Sequence, residues 1–147
     1  QPVGERTARW ALAKVYGITD SRNKRPIEWR GPLYEGMRIV DNKVLVSFVK
    51  ATARGLRLDK DVAFGFYVAG EDQTFHHASA RILGKTDEVE VWCDAVKQPV
   101  AVRYGWSNLP AGTLLNGREL PAYPFRTDSW PIEPHQSTGA YVRAERR

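Results

Sequence analysis

The first seventeen residues, QPVGERTARWALAKVYG, carry their apolar side chains at helical spacing. The apolar positions recur at i, i+3, i+4 and i+7, which predicts a helix with one apolar stripe. The stripe consists of Ala8, Ala11, Leu12 and Val15. Trp10 projects from nearly the opposite side, although a surface helix needs only one stripe. The segment 1–17 is therefore predicted to be a helix that contacts a neighbour on each of two sides.

From Met37 onward the apolar period changes to the alternation that is typical of strands. The segments MRIV and KVLVSFVK, joined by the turn residues Asp41 and Asn42, predict a hairpin. Further alternating segments follow as GLRL, VAFGFYVAG, TFHHASARIL, DEVEVWCDAV and PVAVRYGW. Short strands at intervals of about 8 to 12 residues are typical of a sandwich. We therefore expect a mainly β fold, an antiparallel β-sandwich of the jelly-roll or immunoglobulin-like kind, preceded by one α-helix.

The alternation assigns the side chains of each strand to an inward or an outward face. VAFGFYVAG is apolar on both faces and is predicted to be a central strand. The inward positions are predicted to be Val44, Val46 and Phe48, then Ala78, Ala80 and Ile82, then Val89, Val91 and Cys93, and finally Val100, Val102 and Tyr104.

The predicted domain organisation has three parts. The helix at 1–17 comes first, and a β-sandwich domain follows at 33–130. The last part of that domain is irregular in sequence but carries apolar anchors, so we expect a loop packed on the body; the anchors are Leu114, Leu115, Leu120, Tyr123 and Phe125. Residues 131–147 lack periodicity and are predicted to form a flexible tail.

Composition narrows the range of partners. The chain has 147 residues and a formal net charge of +5, but its basic residues are dispersed among acids and loops. A nucleic-acid binder would gather them on one face, so we expect no nucleic-acid partner. No apolar run approaches the roughly 18 residues that a membrane span needs, so we expect no membrane partner. The single cysteine excludes an internal disulfide framework.

Nucleophilic and metal chemistry find little support in the sequence. No serine lies in a G-x-S-x-G or G-D-S motif. His76 and His77 are adjacent on a predicted strand and point to opposite faces, which disfavours joint ligation of one ion. We therefore expect no metal and no cofactor.

Carboxylates offer the strongest case for catalysis by this chain alone. Glu88, Glu90 and Asp94 alternate with Trp92 on one side of a predicted strand, and alternate residues lie about 6.6 Å apart. Retaining and inverting glycosidases place two acids about 5 to 9.5 Å apart. The adjacent acids Glu71 and Asp72 are a second candidate pair. A charged, solvent-facing strand that resists aggregation is the plainer interpretation.

Aromatic side chains suggest carbohydrate as a ligand. The chain has five tryptophans, and an exposed indole can stack on a sugar ring. The residues predicted to contact carbohydrate are Trp92, Trp130, His76 and His77.

Several segments together resemble a known family. QPVGERTARWALAKVYG, GPLYEGMRI, GFYVAGEDQTFHHASARILG, KQPVAVRYGW and LPAYPFRTDSW resemble, in that order, the C-terminal part of bacterial sialate O-acetylesterase-type proteins. These are carbohydrate esterases of the SGNH-hydrolase class. The resemblance implies that the helix belongs to, or docks on, an α/β esterase domain and that the strands form an appended sandwich. It also implies an extracellular or periplasmic setting.

The same resemblance implies where the chemistry is and where the domains meet. The family's catalytic serine lies in a G-D-S block and its histidine in an Asp-x-x-His block, and the chain contains neither. No catalytic residue can therefore be carried over. The expected domain-interface residues are Trp10, Tyr104, Trp106 and Arg126.

Three functional hypotheses remain open at the level of sequence. The first is an accessory sandwich domain of a carbohydrate esterase that acts on acetylated glycans, with an esterase domain or a second copy covering the helix. The second is a small glycan-active hydrolase that uses the carboxylates beside Trp92. The third is a carbohydrate-binding module.

Overall fold

A computed structural model describes residues 2–21, 24–59, 64–84, 86–106 and 112–132. Within these ranges the elements are α1 (Pro2–Lys14), β1 (Tyr34–Val40), β2 (Lys43–Phe48), β3 (Arg57–Leu58), β4 (Phe66–Ala69), β5 (Phe75–His77), β6 (Ser79–Ile82), β7 (Glu88–Trp92), β8 (Ala101–Tyr104), β9 (Leu114–Leu115) and β10 (Phe125–Arg126). The predicted fold class, a helix followed by an antiparallel β-sandwich, is confirmed.

The strands of the described residues form two sheets and a short ribbon. The first sheet has the strand order β1-β2-β7-β6, the second has the order β10-β8-β4-β5, and β3 pairs with β9. All these pairs are antiparallel. β4, which comes from the segment apolar on both faces, lies between β8 and β5 as predicted.

The hydrophobic core fills the space between the two sheets. Val44 and Val46 of β2 are 0% exposed and Phe48 is 1% exposed, as the hairpin pattern predicts. Burying a side chain of this size stabilises the fold by about 1.5–3 kcal/mol. The buried residues of the other core strands are Val89 and Val91 of β7, Phe66 and Val68 of β4, and Val102 and Tyr104 of β8.

The segment TFHHASARIL divides into two strands that belong to different sheets. β5 pairs with β4 in the second sheet, whereas β6 pairs with β7 in the first. The chain changes sheets at Ala78, whose N–H donates a hydrogen bond to the carbonyl oxygen of Phe66 at 3.0 Å. Ala78, Ala80 and Ile82 pack against the core as predicted. The alternation continues through the crossing, so the sequence period does not reveal it.

The irregular segment before Trp130 packs on the body, as its apolar anchors predict. Leu114, Leu120 and Phe125 are buried, whereas Tyr123 is 46% exposed. Asn116 secures this segment, because its Nδ2 donates hydrogen bonds to two carbonyl oxygens and its Oδ1 accepts two backbone N–H groups. Residues 107–111 and most of the predicted tail, 133–147, lie outside the described residues.

The segment that joins α1 to the sandwich is held by a close backbone approach. A Cβ atom on Gly31 would lie 1.8 Å from the carbonyl oxygen of Pro121, so a glycine is required for the two backbones to pack directly. Pro32 beside it is fully buried. No helix in the described part of the chain has the length and apolar character to cross a membrane.

Replacing Phe48 by alanine is expected to lower the free energy of unfolding by about 3–5 kcal/mol, because it leaves a cavity between the sheets. Phe64 is 50% exposed, so Phe64→Ala is the matched control and is expected to cost about 0.5 kcal/mol. Urea unfolding followed by circular dichroism measures both. Equal losses in the two variants would contradict the core described here.

Candidate functional site

A row of polar and aromatic side chains crosses the outer face of the second sheet. The strand register places Arg126 opposite Arg103, Arg103 opposite Tyr67, and Tyr67 opposite His77. Alternate residues of a strand face opposite sides, so all four point away from the core. We call this row, together with the rings of Phe75, Trp106 and Trp130, the arginine–aromatic face.

Arg103 is the centre of this face. Its Nε and Nη2 donate hydrogen bonds to the two carboxylate oxygens of Asp128, both at 2.8 Å. The Arg103 side chain is 9% exposed and that of Asp128 is 1% exposed. A two-point contact between a guanidinium and a carboxylate fixes both orientation and position. The pair therefore ties the segment after β10 to the middle of the sheet.

Aromatic rings stack on the arginines. The Arg103 guanidinium carbon lies 4.0 Å from the ring centre of Phe75 and 5.8 Å from that of Trp106. The guanidinium carbon of Arg126 lies 5.7 Å from the same Trp106 ring. Cation–π contacts of this kind hold the planar groups in fixed positions. Nη1 of Arg126 is buried without a hydrogen-bond acceptor among the described residues and lies 4.0 Å from Oδ1 of Asp128.

The surroundings of Asp128 keep its carboxyl group ionised. Burial alone would raise the pKa of its carboxyl group, but the hydrogen bonds and charge of Arg103 outweigh burial. Arg126 and the N–H of Trp130 add smaller contributions in the same direction, so the pKa of Asp128 is lowered. Asp128 is therefore a structural anion on this face and is unsuited to proton donation near neutral pH.

A pocket of about 380 Å³ lies at one edge of the face and brings two predicted site residues together. Glu71 and Trp130 both line it, and the Trp130 ring meets Phe75 edge-on with ring centres 5.8 Å apart. Asp72 has a different role, because its Oδ1 accepts the N–H of Thr74 at 3.3 Å within the β4–β5 turn. The structure thus separates the predicted pair Glu71 and Asp72.

The two histidines lie on opposite sides of β5, as the sequence predicts. His77 belongs to the arginine–aromatic face, where its ring centre is 4.7 Å from that of Tyr67. His76 is paired with the inward-facing Val68 and is half-buried. In the described part of the chain, no three His, Cys, Asp or Glu side chains gather as metal ligands.

The carboxylates of β7 are held in ion pairs on the outer face of the first sheet. Both oxygens of Glu88 accept hydrogen bonds from Arg38, at 3.1 and 3.0 Å. Glu90 lies between Lys43 at 3.3 Å and Arg81 at 2.5 Å. The sequence places both acids correctly on one face, but their cationic neighbours come from β1, β2 and β6. Both acids are therefore engaged in ion pairs and do not form an open pair of carboxylates. We call this row of ion pairs the charge ladder of Glu88 and Glu90.

The electrostatics of Glu90 oppose glycosidase chemistry. Burial would raise the pKa of Glu90, but the hydrogen bonds and charges of Arg81 and Lys43 lower it. A glycosidase needs one carboxyl group with a raised pKa to act as general acid. Glu90 is therefore unsuited to the general-acid role in such a pair.

Trp92 and Asp94 also differ from the expected arrangement. The ring of Trp92 carries Lys43 at 5.4 Å and Arg81 at 5.8 Å, so cations already cover the surface that a sugar would use. β7 ends at Trp92, and Asp94 is an exposed residue of the following turn rather than a member of the strand.

The structure corrects one of the predicted interface residues. Tyr104 is 1% exposed and lies in the core, and its hydroxyl oxygen accepts the N–H of Leu114 at 3.0 Å. Burial raises the pKa of Tyr104 to about 12. The inward position that strand alternation predicts for Tyr104 is right, so its side chain cannot reach a neighbouring domain. Trp106 and Arg126 lie on the arginine–aromatic face.

Helix α1 leaves apolar side chains uncovered on both of its predicted sides. Trp10 is 46% exposed, and Ala8 is exposed as well. The helix ends at Lys14 rather than at residue 17 as predicted, so Val15, which is 62% exposed, lies in the turn that follows. The predicted aliphatic stripe is only partly covered, because Ala11 and Leu12 are half-buried while Ala8 and Val15 are exposed. Two clefts, of about 970 and 500 Å³, lie between α1 and the body and share Trp29 and Arg30 as a wall.

Sequence reasoning did not single out Arg103, Asp128 or Phe75. Arg103 is the one charged residue in the short apolar strand β8, and a charge at a buried sheet centre needs a partner. That signal could have identified Arg103. Its partner lies 25 residues further along the chain and is fixed only by the three-dimensional fold.

Comparison with solved structures supports one class of protein. The chain is similar to a carbohydrate acetylesterase from Xanthomonas citri, with a TM-score of 0.75 and 38% sequence identity. The match covers 88% of this chain and 28% of that protein's chain. No protein-family model and no curated protein matches the chain. The 147 residues are thus a carbohydrate-esterase-related region that spans less than a third of the acetylesterase it matches.

Replacing Asp128 by asparagine is expected to lower the free energy of unfolding by about 3 kcal/mol at pH 7, because Arg103 is left buried without its anion. The folded-state pKa of Asp128 lies below its ordinary 3.8, so the stabilising contribution is present above about pH 4 and is lost as the pH falls through the lowered value. The gap between wild type and D128N should therefore narrow on acidification. Urea unfolding at pH 7, 5 and 3 measures it.

Asp94→Asn is the control for this series, because it also removes one carboxylate but from an exposed turn. D94N should follow the wild-type curve at every pH. A gap between wild type and D128N that stays constant from pH 7 to pH 3 would refute the assignment of Asp128 as the buried anion.

Proposed function

We propose that the chain is an accessory β-sandwich domain of a carbohydrate esterase and that it supports deacetylation of acetylated glycans by a separate catalytic domain. The observation that carries this proposal is the 38% identity to the acetylesterase over 88% of this chain but 28% of that one. The larger part of that protein lies outside the match and has room for a catalytic domain.

The sequence supports the assignment of catalysis to another domain. Neither the G-D-S block nor the Asp-x-x-His block of the resembled esterases occurs in the chain. The acids of β7 are held by arginine and lysine in ion pairs. In this proposal the parent enzyme is of the sialate O-acetylesterase type, and it acts outside the cytoplasm, where polysaccharides are met.

Helix α1 is the proposed joint with the catalytic domain. Trp10 of α1 and Val15, in the turn directly after it, expose large apolar surfaces, and such surfaces are characteristic of interaction sites. A partner domain that covers them would add hydrophobic stabilisation of about 25 cal/mol per Å² of apolar surface buried. A second copy of the chain is the competing occupant.

The arginine–aromatic face is the proposed carbohydrate-contacting surface. His77 and Trp130, both predicted from sequence to contact sugar, lie on this face. Tyr67 also lies on it, on β4 between strands β8 and β5. Planar rings at fixed positions present apolar surface to the faces of pyranose rings, while Arg126 supplies hydrogen-bond donors. The Arg103–Asp128 pair holds the surface in shape.

The chain alone is expected to show no hydrolysis of 4-nitrophenyl acetate above buffer. Added to the Xanthomonas citri acetylesterase from which the matching region has been removed, it should restore deacetylation of acetylated oligosaccharides. Trp10→Glu should reduce the restored rate at least about tenfold, because a charge at the joint must be desolvated on docking.

Ile39 is 48% exposed on β1 of the first sheet, so Ile39→Glu is the matched control and should restore the rate fully. Sialylated and neutral acetylated oligosaccharides, compared side by side, test the sialate assignment. Turnover by the purified chain alone, abolished by one point substitution, would sink the accessory-domain proposal.

Carbohydrate contact has its own test. Trp130→Ala is expected to weaken retention on acetylated polysaccharides in affinity electrophoresis by about tenfold or more, since truncation of a tryptophan that acts as a binding hot spot costs about 2 kcal/mol or more. Trp92→Ala is the control, because cations cover its ring, and it should behave as wild type. Retention that depends on Trp92 and not on Trp130 would place the sugar on the wrong sheet for this proposal.

A further inference from the structure

The cleft of about 970 Å³ beneath α1 is lined by side chains from distant parts of the chain. Five arginines converge on it from α1, the segment after α1, the β2–β3 connection and the β9–β10 connection. They are Arg9, Arg25, Arg30, Arg54 and Arg118. In the sequence these residues are dispersed, and only the fold brings them together.

The acids of this cleft do not balance its arginines. Asp20 and Glu28 are the carboxylates among the lining residues. Both lie beside Arg118, Asp20 at 2.7 Å and Glu28 at 4.0 Å. Arg30 and Arg54 form no ion pair with any carboxylate of the described residues, in contrast to Arg118. Arg9 is paired with Glu5 of the same helix at 2.8 Å, so the unpaired positive charge of the cleft is that of Arg30 and Arg54.

We propose that this cleft binds a carboxylate-bearing sugar, a hexuronate unit of an acidic polysaccharide. The choice of a sugar rests on the proposed function, and the choice of an acidic one rests on the unpaired Arg30 and Arg54. A guanidinium group matches the two oxygens of a carboxylate with two parallel hydrogen bonds.

The shape of the cleft suits a short oligosaccharide. Ligand sites commonly enclose about 300–1,000 Å³ and combine apolar walls with a few polar groups. Leu12, Ile27 and the half-buried Trp29 supply the apolar wall here. The guanidinium carbon of Arg30 lies 5.1 Å from the Trp29 ring centre, which holds this arginine at the wall.

The cleft also lies beside the proposed joint. α1 covers one side of it, and the exposed side of α1 is the proposed joint with the catalytic domain. Binding sites occur preferentially at domain interfaces. A hexuronate held here would anchor an acidic polysaccharide beside the catalytic domain without taking part in the reaction.

The test is titration calorimetry of the chain with three probes of similar length. They are tetragalacturonate, its carboxyl-reduced neutral counterpart and tetraglutamate. The hexuronate should bind, its affinity should fall as salt is raised because exposed charges are screened, and the neutral and peptide probes should bind at least about tenfold more weakly.

Arg30→Gln and Arg54→Gln should each weaken hexuronate binding about five- to tenfold, which is the range for loss of one charged hydrogen-bonding contact. Arg38→Gln is the matched control. It removes the same charge from the first sheet, where Arg38 pairs with Glu88, and should leave binding unchanged.

Four results would overturn the inference. Equal binding of the neutral tetramer would show that the carboxylate is not recognised. Equal binding of tetraglutamate would show that a sugar is not required. Absence of hexuronate binding, or equal weakening by R38Q, removes the site. Restoration of the truncated acetylesterase is a separate measurement, so loss of hexuronate binding with restoration intact rejects this inference and leaves the accessory role standing.

Discussion

The buried ion pair between Arg103 and Asp128 is the interaction on which the outer surface of the second sheet depends. Removing two charges from water carries a large desolvation cost, which is recovered only when the geometry is good and the remaining polar atoms are satisfied. Here both hydrogen bonds measure 2.8 Å, and rings lie against the guanidinium. Thr127 adds a backbone connection, since its hydroxyl oxygen accepts the N–H of Val102 at 2.9 Å. The pair thus reinforces the pairing of β10 with β8 and holds the segment that leads to Trp130 against the sheet.

The sandwich and the helix present two different kinds of surface. The sandwich encloses a complete core whose central side chains are fully buried. α1 has no comparable support, and its described contacts with the body include the approach of Lys14 to the Trp29 ring at 5.8 Å. Val3 and Trp10 of this helix remain exposed. This contrast is the physical basis for treating the sandwich as the body and the helix as a joint.

Sequence patterns predicted the strands well because each strand has one face in the core. The same alternation put Tyr104 inside, and it was more reliable there than the resemblance, which implied an interface position. The crossing at Ala78 escaped the pattern, because the change of sheet preserves the period. The charge ladder of Glu88 and Glu90 also escaped it. Their faces follow from the period, but their ion-pair partners come from neighbouring strands and are set by register.

Residues that act together across the fold were the hardest to predict. Arg103 and Asp128 are 25 residues apart, and the arginines of the large cleft come from four separate segments. The spacing of residues along the chain does not show which distant residues contact each other. The dispersed basic residues predicted a general solvated surface, whereas the structure concentrates several of them at one cleft. The sequence could therefore predict the residues of the candidate site on β5 and at Trp130. It could not predict the ion pair between Arg103 and Asp128 that holds the site together.

The contact of Gly31 with Pro121 has a consequence for how the joint can vary. Trp29 and Arg30, which form the wall between the two clefts, directly precede Gly31. The backbone of Gly31 packs on that of Pro121 with no room for a side chain. Any larger residue at position 31 would displace this wall and would change the width of both clefts at once. A change confined to one cleft therefore requires substitution of side chains around its rim, with Gly31 retained.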